Sequence, residues 1–305
     1  MYHNKNNNKM KKLRFIPLAA LGLLTAACSS DDATSAEQQA AKNITIEASI
    51  GNMTRATTTG NTTVFDAGDG VSIYAWTGTA ASVPADKVVN GVVNTLGADG
   101  KWTPATPMLW ADMVTPHYFL GIYPARTVSD FTADPYTLDP ADYEASDLLV
   151  ARQLSGLIAT QNPVSLTFDH AMAKLNVNMN FRNQWSETPA IASCVATAAS
   201  TATVDYLAQT VTAGEQASVS MPAVTAQQGY AATYSSIMVP QSGFRTVTIT
   251  IDGQPFTYTH DADIPLEAGR YTTLNLIVGR NKIELGEVSI NDWTEGTTID
   301  GGQAM

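Results

Sequence analysis

AKLNVNMNF, residues 173–181, sets Leu175, Val177, Met179 and Phe181 on one side of the chain and Lys174, Asn176, Asn178 and Asn180 on the other. Alternation of period two fits a β-strand with an apolar face and cannot be laid on a helix. The same style runs through the chain. ITIEASI (44–50) alternates Ile44, Ile46, Ala48 and Ile50 with Thr45, Glu47 and Ser49. VSIYAW (71–76), HYFLGIY (117–123), VSLTF (164–168), RTVTITI (245–251), PFTYTH (255–260) and RYTTLNLIV (270–278) read as further strands, and IASCVATA reads as a strand with a buried small residue at Cys194.

Turn-forming residues separate these runs at Asp66–Gly70, Gly97–Gly100, Asp252-Gly253 and Ala268-Gly269. No segment sustains an apolar period of 3.6 residues over three turns. The chain is therefore read as all-β, and short strands at this spacing indicate β-sandwiches of immunoglobulin-like size. Residues 43–305 suffice for two in tandem, an N-terminal one over 43–162 and a C-terminal one over 163–305. The division is placed at the polar stretch ARQLSGLIATQNP, 151–163.

The N-terminus reads as an export signal. Residues 1–27 carry Lys5, Lys9, Lys11, Lys12 and Arg14, no acid, and an apolar run from Phe15 to Ala27. As a helix that run reaches roughly 20 Å, short of the roughly 30 Å of a bilayer core and the right size for a signal-peptide core. TAAC (25–28) resembles the recognition box of lipoprotein signal peptidase, which makes Cys28 the lipidated first residue of the mature chain. Two or three acyl chains hold a protein on a membrane almost irreversibly. The SSDD that follows resembles the acidic tags of lipoproteins sent to the outer face of the cell, and residues 28–42 read as a flexible tether.

Charge and cysteine usage exclude several functions. The formal net charge is −11, and loss of the five N-terminal cations takes it to −16, which repels phosphate backbones and anionic headgroups. With Cys28 lipidated, Cys194 is alone, so neither an intrachain disulfide nor a Cys-x-x-Cys zinc site is available. His117, His170 and His260 have no ligand-spaced partner and read as core or edge histidines. The acidic string DPYTLDPADYEASD (134–147) has two prolines and no glycine, unlike a calcium loop, and reads as a solvated loop. No nucleophile elbow or phosphate loop is present. The reading is a non-enzyme with no cofactor and no metal.

Four stretches carry a resemblance to a known family: FDAGDGVSIYAW (65–76), VSLTFDHAMAKLNVNMNF (164–181), LEAGRYTTLNLIVGRNKIEL (266–285) and INDWTEG (290–296). Their order and spacing, with the lipoprotein signal, resemble the fimbrillin family, the Mfa-like subunits of type V pili of Bacteroidales. The resemblance implies two transthyretin-like β-sandwiches and a structural or adhesive subunit of a surface pilus, found at the outer membrane and in the fimbrium. It also implies a processing event by an arginine-specific protease in the loop after the first strand. The matching position is Arg55, in NMTRATTTG, with Ala56 as the new terminus. Loss of the first strand, with Ile44, Ile46, Ala48 and Ile50, opens a groove that a strand from another pilus subunit fills. Ile283, Leu285, Val288, Ile290 and Trp293 are the candidate donor side chains, with a break in spacing at Gly286 that reads as a bulge. The alternative is a non-polymerising surface lipoprotein that binds a glycan or host ligand, its aromatic platform drawn from Trp76, Trp102, Trp110 and Trp185.

Overall fold

The computed structural model describes residues 42–51, 64–139, 142, 145–185, 187–280 and 282–292. The first half runs through β1 (Ile46–Ile50), β2 (Gly70–Thr77), β3 (Val89–Leu96), β4 (Trp102–Pro104), β5 (His117–Tyr123), β6 (Asp134–Thr137), β7 (Leu149–Leu157) and β8 (Val164–His170). The second continues with β9 (Ala173–Phe181), β10 (Ile191–Ala199), β11 (Thr201–Asp205), β12 (Thr210–Ala213), β13 (Gln216–Met221), β14 (Ala223–Val224), β15 (Ala232–Met238), β16 (Thr246–Ile251), β17 (Gln254–Thr259), β18 (Arg270–Val278) and β19 (Ile283–Asp292). Apart from strands there is one short 3₁₀ turn, Ala159–Gln161, among the described elements. The architecture is all-β, with sheets arranged as β-sandwiches.

Seven strands of the first half form one sheet in the order β1-β8-β7-β5-β2-β3-β4. Every pairing in it is antiparallel except β1 with β8, which run parallel. The second half contributes a five-stranded sheet, β14-β15-β9-β18-β19, and a four-stranded sheet, β13-β10-β16-β17. A third small sheet, β12-β11-β6, joins the halves, because Asp134–Thr137 pairs antiparallel with β11.

The seven-stranded sheet is buried on both faces, so its central strands VSIYAW and HYFLGIY are continuous apolar runs rather than clean alternations. One face carries Val71, Ile73 and Ala75 of β2, Phe119 of β5 and Val164, Leu166 and Phe168 of β8 into a core of the first half alone. The other face carries Tyr74, Trp76, Leu120, Ile122 and Val150 into a larger core shared with Leu175, Val177 and Met179 of β9 and with Val247, Ile249 and Ile251 of β16.

Three findings refine the sequence reading. First, β8 is hydrogen-bonded to β1 and β7, so a division at 162/163 would separate it from both partners, and β7 runs through much of the polar stretch 151–163. The chain leaves the first sheet only after His170, at Ala171-Met172. Second, the acidic string is a solvated loop only in its middle, where Asp139 and Asp142 are exposed. Asp134, Tyr136, Leu138 and Asp147 are buried, because β6 is drawn into a sheet by β11 and Asp134 gains partners: Arg126 at 3.0 Å and the Tyr206 hydroxyl, which donates at 2.6 Å. Third, the amide face of β9 is buried as well as its apolar face. The Asn176 carbonyl oxygen accepts from Ser235 Oγ at 2.7 Å and that of Asn178 from Thr233 Oγ1 at 2.8 Å, while Asn178 Nδ2 donates to Asn275 Oδ1 at 2.9 Å. Hydrogen-bonded polar side chains tolerate burial that lone ones would not; Asn178 is bonded through both ends of its amide, while Asn176 Nδ2 is buried without a hydrogen-bond partner.

A row of small residues under a ring sets the spacing of the first core. Gly121 pairs with Ala151 and Ala151 with Phe168, and the Phe168 ring leans back across both. A Cβ on Gly121 would lie 2.6 Å from Phe168 Cζ. Gly121→Ala is therefore expected to destabilise the fold by about 1–3 kcal/mol in urea unfolding, and Gly121→Ala with Phe168→Leu to recover part of that loss.

Candidate functional site

β1 is an edge strand with the alternation its sequence prescribes. Ile44, Ile46 and Ile50 are buried and Ala48 half-buried, while Thr45, Glu47 and Ser49 face solvent. Its register on β8 pairs Ile46 with Val164, Ala48 with Leu166 and Ile50 with Phe168. Beneath it lie Met108, Trp110, Phe119 and Ala159 of the first core. Three buried isoleucines contribute on the order of 5–9 kcal/mol gross at about 1.5–3 kcal/mol each.

The start of this segment is held from two sides. Thr45 N donates to Asn162 Oδ1 at 2.9 Å, Asn162 Nδ2 donates to Thr45 Oγ1 at 2.8 Å, and Val164 N donates to Thr45 O at 2.8 Å. Across the groove, Ile44 N donates to Met108 O at 2.8 Å and Trp110 N to Lys42 O at 2.9 Å. His117 shapes the loop that presents those atoms. The fully buried ring donates from Nδ1 to Thr115 O at 2.8 Å and accepts the Ala111 amide on Nε2 at 3.0 Å. It also lies edge-on to Trp110 at 4.9 Å. Residues 42–51 thus bridge β8 and the 108–110 loop, closing the first core along one seam. Asn162 and the 108–110 loop give no sequence signal, since Asn162 meets Thr45 from 117 positions away.

The candidate donor segment is β19, the edge of the five-stranded sheet. Its register on β18 shifts between Asn275 and Leu276, which leaves Gly286 as the extra residue and keeps Ile283, Leu285 and Val288 facing the core. The bulge expected from the spacing is present. A side chain at Gly286 would place Cβ 3.0 Å from Asn275 O, so the close approach of β18 favours glycine there. Ile290 is 41% exposed. Cys28, Arg55, Ala56 and Trp293 lie outside the described residues, as do residues 28–41 of the tether.

The rest of the surface offers little chemistry. Among the described residues no group of three His, Cys, Asp or Glu side chains could hold a metal ion. His170 pairs with buried Asp147 at 2.9 Å, and His260 Nδ1 meets the Tyr258 hydroxyl at 2.6 Å. The aromatic platform of the alternative reading does not assemble. Trp76 and Trp110 are core residues, Trp102 stands edge-on to Phe65, and Trp185 is packed by Phe181, Phe256 and the Arg280 guanidinium. Desolvation pushes the Cys194 thiol up to about 12.

Comparison with known proteins fits this geometry. The Fimbrillin-like family model matches residues 54–293. The chain belongs to the fimbrillin-like family. Solved structures agree on the fold of this fimbrillin-like protein. A candidate cell adhesion protein of Bacteroides uniformis superposes with a TM-score of 0.62 at 18% identity, covering 83% of this chain and 98% of that one. Another from Bacteroides ovatus gives 0.62 at 14% identity over 84% and 99%. A fimbrial protein of Bacteroides vulgatus gives 0.52 at 13% identity over 83% and 100%. No curated protein matches the chain.

Two outcomes check this geometry. Asn162→Ala removes both side-chain contacts to Thr45 and is expected to weaken the segment by about 1–3 kcal/mol, read as a loss of amide-exchange protection at Thr45 relative to the core strands. Cys194, whose thiolate is suppressed by burial, is expected to resist thiol reagents at pH 8 in the native protein and to react on addition of denaturant.

Proposed function

We propose that this fimbrillin-like protein is a non-enzymatic structural and adhesive subunit of a surface pilus, exported as a lipoprotein on Cys28, cut after Arg55 and assembled by strand exchange. The observation that carries the reading is the segment 44–50 with β1: a short edge strand paired on one side only, with Ile44, Ile46 and Ile50 buried, whose end at Ile50 precedes Arg55 by five residues in sequence. The fimbrillin-like family and the fimbrial and cell adhesion proteins that share the fold support the pilus and surface assignment. The two sandwiches are taken as the domains, the first ending with β8 and the second beginning with β9.

Removing residues up to 55 would strip the parallel partner from β8 and uncover Val164, Leu166 and Phe168. A row of unpaired backbone groups beside an apolar slot is costly in water, and an incoming strand relieves both. The partners implied are other pilus subunits, the arginine-specific protease, the outer membrane before cleavage, and a host receptor or glycan at the cell surface.

Selective cleavage at Arg55 has support in how the other arginines are held. Among the described residues Arg126 pairs with Asp134, Arg182 with Glu284, Arg245 with Asp263 and Arg270 with Glu267, while Arg152 donates to Leu207 O and Arg280 stacks on Trp185. Digestion of folded residues 29–305 with an arginine-specific protease is expected to give one cut with Ala56 as the new N-terminus, followed by growth into oligomers on size exclusion. A chain that stays intact, or is cut yet stays monomeric, would sink the proposal.

A further inference from the structure

Large apolar side chains on the surface are few and unevenly placed. Of the seven among the described residues, Leu109, Met113 and Val114 fall within one six-residue stretch, at 47%, 37% and 76% exposure. Single exposed hydrophobes are ordinary on a folded protein, whereas three gathered in one loop call for a partner. The loop is built to hold them out. Met108 and Trp110 belong to the first core, and Leu109 between them is turned to solvent. Past Trp110 the chain makes a tight turn fixed by Asp112, whose Oδ1 accepts the amides of Val114 at 2.8 Å and Thr115 at 2.6 Å and whose Oδ2 accepts Thr115 Oγ1 at 2.5 Å. The buried His117 ring closes the base by accepting the Ala111 amide at 3.0 Å. From Trp102 to Ala125, Asp112 is the one Asp, Glu, Lys or Arg, and its carboxylate is folded onto its own loop.

The path of the entering chain is a second, independent observation. Ile44 N donates to Met108 O and Trp110 N to Lys42 O, and Asn43 is bridged antiparallel to Leu109. Stepping back from Ile44 to Lys42, towards Cys28, is therefore stepping forward from Met108 to Trp110, towards the loop tip. Cys28 stands 14 residues before Lys42. A flexible chain of that length reaches about 20 Å on average.

We propose that the loop Leu109–Val114 is a membrane-docking knob. While acyl groups on Cys28 hold the chain, Met113 and Val114 enter the headgroup region of a zwitterionic bilayer, with Leu109 and Lys42 at the rim of the contact. This rests on the lipoprotein reading above and adds to it a second contact, made by the folded body, which fixes its orientation on the membrane. Three side chains are too little apolar area to hold a free protein on a bilayer, because such binding grows with the area buried. The anchor changes that, since a second contact on a short tether is intramolecular and acts at an effective concentration on the order of millimolar. An acidic chain of net charge −11 is repelled by anionic headgroups, so the surface that fits is uncharged overall. Exposed Lys42 beside the knob suits the phosphates of zwitterionic lipids. A second copy of the chain fits less well, because two knobs meeting about a two-fold axis bring two Asp112 carboxylates together.

The test uses the full chain purified from cells that lack an arginine-specific protease, with acylation of Cys28 read by mass spectrometry. The protein is placed in phosphatidylcholine vesicles whose acyl chains carry bromine. A fluorophore is attached at Ala111→Cys in the knob or at Thr257→Cys in β17, both exposed positions, while Cys194 is buried and silent. Bromine is expected to quench the label at 111 and to leave the label at 257 unchanged, and Met113→Ser with Val114→Ser is expected to abolish the difference. Equal signals from the two labels, or quenching that survives the double substitution, overturns the knob and leaves the lipid anchor standing. A mature chain without acyl mass on Cys28 removes the lipoprotein reading and this inference together. Size exclusion of lipid-free residues 29–305 tests the other occupant, and a monomer at all concentrations is expected. A concentration-dependent dimer that the double substitution dissolves would assign the knob to a second copy and overturn the membrane contact.

Discussion

The first core is closed along one seam by a single edge strand. Val71, Ile73, Phe119 and Phe168 belong to the core that the seven-stranded sheet builds, and among the described residues, 42–51 are the ones that lie over it between β8 and the 108–110 loop. Everything else in the first half is arranged around that seam. Asn162 and the His117-ordered loop grip the entering backbone at its rim, and the isoleucines fill the slot between. Removing that segment would leave β8 paired with β7 alone and open the apolar slot.

The opposite face of the same sheet has a different task. Tyr74, Trp76, Leu120 and Ile122 bury into the core shared with the second half, and β6 pairs with β11 across the halves. Arg126, Asp134 and Tyr206 close a polar node at that junction, with burial pushing the tyrosine hydroxyl well above its usual range. The β1 seam and the β19 edge therefore belong to one connected body.

Much of the fold was legible because period-two patterning survives wherever one face of a strand is wet. ITIEASI, RTVTITI and RYTTLNLIV have strands where their alternation or β-branched content places them. The Gly286 bulge was legible too, since it is the one residue that breaks the apolar spacing of β19. What escaped lacked a local signal. Polar residues 152–157 continue the strand because β5 supplies their ladder, while β8 pairs only with Leu149–Ala151. Asp134 of β6 is buried because Arg126 and Tyr206 reach it from distant positions. Asn162 looks like any loop asparagine until Thr45 is beside it.

By itself the sequence determined the class of structure: alternating β-branched strands and an acidic chain follow from residue types at short range. Only the tertiary structure decided which strand closes the first core, which edge strand is half-buried, and that β8 belongs with the first sheet. Those are properties of pairing between residues more than a hundred positions apart. Strand patterns specify which face turns inward and leave open which neighbour it meets, since any β-ladder can hydrogen-bond to any other and only packing selects among them.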